Sequence, residues 1–334
     1  MEIVPFNEEH LEEAAALVAV RYREERNLNP ILPTRFEDAA AVLPILHDNI
    51  NRQTGVVARR EGKLIGFLTG FMSLFREVRT AYIPYWGHGA GSDTRQETYR
   101  MLYASLARHW VANGYFTHII TILAHEQEVL DAWFMFGFGM DNIDALRDVS
   151  SIKRTTADVK VRRATTDDID AVMSLALANH WHLTTTPIFR PMFGHEKREH
   201  IEPQLSDASV AWWLAYLDGG AVGCIRVEPS SERDEFSVTP ADENTCGITR
   251  AFTKEEFRRR GVATTLLKHS LEWVHSVGYT RCAVDCESAN IPGFSFWLKH
   301  FQPVGYSLVR HVDERIAWAH KDRNETDILR EFQS

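Results

Sequence analysis

Apolar residues along this chain follow two rhythms, period two and period 3.6, and the same succession of rhythms occurs twice. Glu2 to Phe6 reads as a short strand, and Asn7 caps a helix with Leu11, Ala14, Ala15 and Val18 on one face. In the second half Val159 to Arg163 is the strand and Thr165 the cap, with Ile169, Val172, Met173 and Leu177 as the apolar face. Leu11 and Ile169 stand 158 residues apart. A hairpin follows in each half. Val56-Val57-Ala58 turns at Glu61-Gly62 into Leu64 to Phe67, and Trp212 to Leu217 turns at Asp218-Gly219-Gly220 into Val222 to Ile225. Gly66 and Gly223 are 157 apart. Next comes a long helix closed by glycine. Met101, Ala104, Ser105, Arg108 and Val111 lead to Gly114-Tyr115, and Ala263, Leu267, Leu271 and Val274 lead to Gly278-Tyr279, at a spacing of 164. Gly137-Phe138 and Gly305-Tyr306 close the series at 168.

Landmarks that stay collinear while drifting by short insertions indicate one fold present twice with variable loops. The pattern predicts two mixed α/β domains in tandem, residues 1–150 and 158–320, joined by a polar linker from Val149 to Ala157. A length of 334 residues agrees with two cores rather than one. Asn27 to Asn49 and His180 to Gln204 read as irregular stretches that follow the first helix of each half.

Composition narrows the class. With 44% hydrophobic and 25% charged residues and no apolar run of membrane-spanning length, the chain reads as soluble and globular. Its start has no basic segment followed by an apolar one, so a cytoplasmic location is expected. A net charge of -9 argues against nucleic-acid and membrane partners. The four cysteines, Cys224, Cys246, Cys282 and Cys286, fit buried thiols on strands better than disulfides or metal ligands, and no metal is expected. Against the acidic total, the basic cluster Lys254, Arg258, Arg259 and Arg260 points to a small anionic ligand.

That cluster follows Thr245-Cys246-Gly247-Ile248-Thr249-Arg250-Ala251-Phe252-Thr253, which reads as a strand, and occupies the short loop before a helix opening at Gly261-Val262-Ala263-Thr264. Unpaired N–H groups at a helix start, small side chains and neighbouring guanidinium groups suit a diphosphate. Arg258, Gly261 and Ala263 match the signature of the GNAT acyltransferase family, which the second half resembles. Cys282 to Glu287 as the next strand, then Asn290, Gly293, Phe296-Trp297 and Gly305-Tyr306, extend the resemblance over about 160 to 320, and more loosely over the first half. It implies acetyl-coenzyme A as co-substrate, bound by Phe252, Thr253, Arg258, Arg259, Arg260, Gly261, Val262, Ala263, Thr264, Asn290, Phe296 and Trp297. It further implies an acetyl group passed to a small-molecule or peptide amine by direct attack in a ternary complex, with backbone N–H near Phe252 stabilising the oxyanion.

The proton carriers are less legible. Ile248 to Phe252 lacks the carboxylate that many family members place there, and Trp297 stands where the family often has Tyr. Glu287 and Asp285 are left as candidate bases and Tyr306 as candidate acid. At a spacing of 164, Glu97, Thr98 and Tyr99 take the places of Gly261, Val262 and Ala263, which predicts a first domain whose cofactor loop is degenerate. Two alternatives stay open: a non-catalytic acyl-CoA sensor or interaction protein, and, among enzymes, acetylation of an amino-sugar thiol like that of the tandem GNAT protein mycothiol synthase.

Overall fold

The computed structural model describes residues 1–152, 158–191, 197–230 and 244–316. The chain divides into two compact units, Met1–Asn142 with the segment from Val304 onward, and Ile143–Pro303. The first half runs β1 (Glu2–Pro5), α1 (Leu11–Leu28), α2 (Ala39–Asn49), β2 (Gln53–Arg60), β3 (Lys63–Phe75), β4 (Val78–Ile83), β5 (His88–Ala90), α3 (Arg95–Ala112), β6 (Thr117–Leu123), α4 (Gln127–Phe134) and β7 (Gly139–Asp148). The second half repeats the order: β8 (Lys160–Arg163), α5 (Ile169–Thr184), α6 (Arg198–Ser206), β9 (Ala211–Leu217), β10 (Gly220–Pro229), β11 (Thr245–Thr253), α7 (Val262–Ser276), β12 (Arg281–Glu287), α8 (Ile291–His300) and β13 (Gln302–His311). The ranges of β6 and β12 differ by 164 at both ends.

The sheet of the first unit has the order β1-β2-β3-β4-β6-β13, with β5 on β3. Among the described residues of this sheet, β4 and β6 are the pair that runs parallel. The second unit has β8-β9-β10-β11-β12 and then β7, with β11 and β12 parallel. The last strand of each half therefore closes the other unit. β13 pairs antiparallel with β6 from Gly305↔Leu123 to His311↔Thr117, and β7 from Ile143 onward belongs with β12. The boundaries read from sequence kept each closing strand in its own half, because alternation along a strand does not say which neighbour it will pair with.

Two stretches read as irregular contain helices, α2 and α6. Each carries an internal proline, Pro44 and Pro203, which argues against helix on local grounds, yet both short helices form where the repeat places them. Of the predicted linker, residues 153–157 lie outside the described residues, as do residues 192–196 of the stretch from His180 to Gln204. The buried face of α3 also differs from the expected one. Met101, Ala104, Ser105 and Arg108 are exposed, while Tyr99, Leu102, Tyr103, Leu106 and Trp110 are buried. These rings can be buried because their polar tips are satisfied: Tyr103 Oη lies 2.7 Å from His118 Nδ1, and Trp110 Nε1 donates to Thr54 Oγ1 at 2.8 Å. On α5, Leu177 is 59% exposed, so the apolar face there is Ile169, Val172, Leu175 and Ala176.

One glycine pair explains how strand and helix meet in both units. A Cβ at Gly66 would lie 2.5 Å from Thr98 Cγ2, and one at Gly223 would lie 3.2 Å from Val262 Cγ1. Thr98 and Val262 are equivalent in the repeat, 164 residues apart, so each helix presses onto a strand that has no side chain there. In the second unit α7 and α8 cover one face of the sheet with Leu266, Leu267, Leu271 and Trp297, and α5 and α6 cover the other with Val172, Leu175 and Ile201. The four cysteines are free and buried in these cores. Among the described residues no helix is long and apolar enough to cross a membrane.

Candidate functional site

The site begins where two parallel strands part. β11 pairs with β12 from Thr245↔Arg281 to Ile248↔Val284, then continues to Thr253 bonded on its other side to β10. The edge of β11 beyond Ile248 thereby offers backbone groups to an extended ligand. After Thr253 the chain turns through Arg259 (φ 60) and Gly261 (φ 78) into α7. Left-handed backbone suits glycine, and it aims the start of α7 back toward the strand. The first helical bond of α7 runs from Thr265 N–H to the Gly261 carbonyl at 2.9 Å, and no side chain caps the turn. The N–H groups of Val262, Ala263 and Thr264 consequently have no intrahelical acceptor, which makes an anion site.

A cavity of about 290 Å³ lies at this point. Phe252, Thr253, Arg258, Arg259, Gly261, Val262, Ala263, Thr264, Asn290, Phe296 and Trp297 all line it. Of the binding residues expected from sequence, Arg260 alone is not among the lining residues; its guanidinium lies over the Phe257 ring at 5.5 Å. Arg258 Nε donates to the Thr253 carbonyl at 3.1 Å and so ties the loop to the strand end. Asn290 caps α8, its Oδ1 accepting from Gly293 N–H at 3.3 Å. Gly293 leaves room for this cap, since a Cβ there would come within 2.8 Å of the Asn290 side-chain amide and displace it. Phe296 and Trp297 stack edge to face at 4.9 Å, and Trp297 also packs on Phe301, so it serves the core as well as the cavity wall.

Helix α5 supplies two lining residues that sequence reading passed over, Asn179 and His182. His182 packs its ring by Phe252 at 6.2 Å, and its Nε2 lies 3.3 Å from Asn290 Oδ1. That oxygen already accepts from a backbone N–H, so the imidazole must donate through Nε2, and in the neutral ring Nδ1 keeps its lone pair. The expected proton carriers are placed elsewhere. Glu287, at the end of β12, forms an ion pair with Arg190, and Asp285 is exposed. Tyr306 lies on β13 in the first unit, packed by that unit's core, where burial first and then Glu25 raise its pKa. None of the three lines the cavity.

The equivalent place in the first unit is filled by its own side chains. The repeat spacings match Asn179 with Arg21, Ala251 with His88, Ala263 with Tyr99, Asn290 with Glu126 and Trp297 with Trp133. Arg21 is buried and bidentate with Glu126, both bonds at 2.6 Å, and donates to the His88 carbonyl. His88 Nδ1 lies 2.9 Å from Tyr99 Oη, and Tyr99 packs against Trp133 at 5.9 Å. Burial opposes charge on Arg21, but Glu126 outweighs it and the guanidinium's pKa is raised. Burial holds His88 well below the usual histidine range, so it stays neutral. α3 also begins three residues before the point equivalent to the start of α7, which puts Thr98 and Tyr99 inside the helix body. Glu97, expected at the anion site as a repelling charge, is exposed.

Residues 178–301 match the model of the acetyltransferase (GNAT) family. No curated protein matches the sequence. Among solved structures, a GCN5-related N-acetyltransferase from Sphaerobacter thermophilus aligns with a TM-score of 0.56 at 12% identity, covering 93% of this chain and 95% of that one. A GCN5-related glucosamine N-acetyltransferase region of a fungal multi-domain GH3 β-N-acetylglucosaminidase aligns with a TM-score of 0.52 at 14% identity, covering 92% of this chain and 38% of that one. Such identities speak to fold alone, and the fold they share is the mixed α/β arrangement described above. Within this chain, then, residues 178–301 form a domain of the acetyltransferase (GNAT) family.

Proposed function

We propose that the second unit binds acetyl-coenzyme A and transfers its acetyl group to an amine in a ternary complex, and that the first unit has no cofactor site. The observation that carries this reading is the cavity at the uncapped start of α7, lined by Arg258, Arg259, Gly261, Asn290 and Phe252. The loop and helix start fit a diphosphate, and the open edge of β11 fits the amide-bearing pantetheine arm. The apolar wall of Phe252, Phe296 and Trp297 keeps water from the thioester.

His182 is the proton acceptor in this reading. The amine nitrogen bonds to the acetyl carbon, the carbon–sulfur bond breaks, and the amine's proton passes to His182 Nδ1. The thiolate leaves as an anion, which a thiol of pKa about 8.5 permits without a dedicated acid. Backbone N–H groups of the open β11 edge bear the charge on the carbonyl oxygen. Asn290 holds the ring in the tautomer that can accept.

Calorimetric titration with acetyl-coenzyme A, together with thiol release over an amine panel, tests the proposal. Binding with release is expected, and no binding would sink it. His182→Gln is expected to lower kcat about 100- to 1000-fold while donor affinity stays within severalfold, as loss of a general base requires. An unchanged kcat would remove His182 from the mechanism.

A further inference from the structure

We propose that Asn179 receives the nitrogen of the acceptor amine, its Oδ1 accepting one N–H while His182 takes the proton; this rests on the donor-site and base reading above. Val172, Leu175 and Ala176 pack the inner stripe of α5 on the core of the second unit, and Asn179 and His182 continue that stripe at helical spacing. Both are half-buried and both line the donor cavity, so the stripe turns from apolar to polar where it leaves the core. The first unit shows where a side chain at this position reaches. Strand register makes Ala251 the counterpart of His88: Gly66↔Ala90 and Leu68↔His88 in one unit match Gly223↔Thr253 and Ile225↔Ala251 in the other. Arg21, the counterpart of Asn179, donates to the His88 carbonyl and to Glu126, the counterpart of Asn290. Residue 179 is thereby directed between the edge of β11 and Asn290, with a side chain too short to span that gap.

Among the described residues Asn179 has no hydrogen-bond partner. A half-buried amide without a protein partner can turn either its oxygen or its NH₂ toward a ligand. The reaction selects the oxygen. As the amine adds to the thioester carbon its nitrogen becomes positive, and until a proton leaves, each N–H calls for an acceptor. His182 Nδ1 supplies one. No carboxylate is among the lining residues, and Asn290 Oδ1 is already engaged by Gly293 N–H and by His182. Asn179 Oδ1 is the uncommitted side-chain acceptor on the helix face that carries His182. It makes and breaks no covalent bond. It holds the nitrogen with its lone pair toward the carbonyl carbon, and its dipole meets a charge that exists only once attack has begun, so its effect belongs to kcat.

The test uses the full chain, acetyl-coenzyme A and the fastest acceptor among methylamine, benzylamine, lysine, glucosamine and spermidine. Asn179→Leu keeps the shape of the side chain and removes the acceptor. It is expected to lower kcat about ten- to a hundredfold, the range of a hydrogen bond to a charged group, while donor affinity stays within severalfold. Asn179→Asp keeps an acceptor and is expected to retain most of kcat. The acid limb of its pH–rate profile should move to higher pH, since a carboxylate one helical turn from His182 favours the protonated ring. Unchanged kcat in Asn179→Leu overturns the inference, as does an Asn179→Asp enzyme as slow as the leucine variant or an acid limb that stays in place. A loss of donor affinity as large as the loss of rate would assign Asn179 to coenzyme binding and overturn it too. Absence of donor binding, or of thiol release with every amine, would instead sink the underlying reading, and the inference with it.

Discussion

The same place in two copies of one fold has been put to two uses. In the second unit the space between the parted strands and the helix start is a cavity walled by Asn179, Ala251, Ala263, Asn290 and Trp297. In the first, the matching Arg21, His88, Tyr99, Glu126 and Trp133 are all buried and bonded or stacked among themselves. Two alanines have become a histidine and a tyrosine, and two asparagines an ion pair. Backbone geometry alone therefore does not make this fold a binder. A cavity survives only where small or neutral side chains leave the opening unspent, and a sealed copy must satisfy each polar group it buries.

The comparison can be broken from either side. The largest effect is expected from Glu126→Gln, which leaves the Arg21 charge buried without its partner. Loss of such a partner costs about 3–5 kcal/mol, readable as a lower denaturant midpoint for the first unit. A loss under about 1 kcal/mol would mean that water reaches Arg21 and the seal is not tight. Next, Asn179→Arg with Asn290→Glu transplants the ion pair into the second unit. Acetyl-coenzyme A affinity is expected to fall at least about 100-fold, with the chain still folded by circular dichroism. Gly261→Glu would be a less clean test, since Gly261 has φ 78 and a side chain there adds strain to charge.

The smallest of these effects is set by pH. Burial pushes His118 down to about 4, beneath Tyr103 and the Tyr115 carbonyl. A histidine with a lowered folded pKa contributes its full stability above the unfolded value near 6.5, and that contribution drains away as pH falls toward 4. The loss is about 3 kcal/mol at most, with His88 acting in the same direction. Melting of the first unit, followed through its buried tryptophans, should move down over that window. A flat profile from pH 7 to 4 would mean that His118 carries a proton in the folded state.

The loop that opens α7 was legible in the sequence because its physics is local. A glycine, small neighbours and a run of arginines at a helix start say most of what the structure says. The glycine pair Gly66 and Gly223 likewise announced the repeat, since both answer to one strand–helix contact. His182 and Asn179 were not legible, because α5 lies far from β11 in sequence and only the packing of the sheet brings them together. Glu97 and Tyr99 stood out in the sequence as the replacements for Gly261 and Ala263, and the structure separates their roles. The carboxylate faces solvent, and the ring, bonded to a histidine that no motif marks, is part of the seal.

The exchange of closing strands also sets a clock. Thr121 on β6 reaches Ser307 on β13 at 3.0 Å, across 186 residues of chain. At about 5–20 residues per second, a ribosome needs about 10–40 seconds to bridge that interval. For that time the first unit to emerge has an unfinished sheet, with one side of β6 still waiting for its partner. The half made first is thus the half completed last. Slowing synthesis between the two strands should lengthen the interval in which nascent chains can pair through β6 with the wrong neighbour.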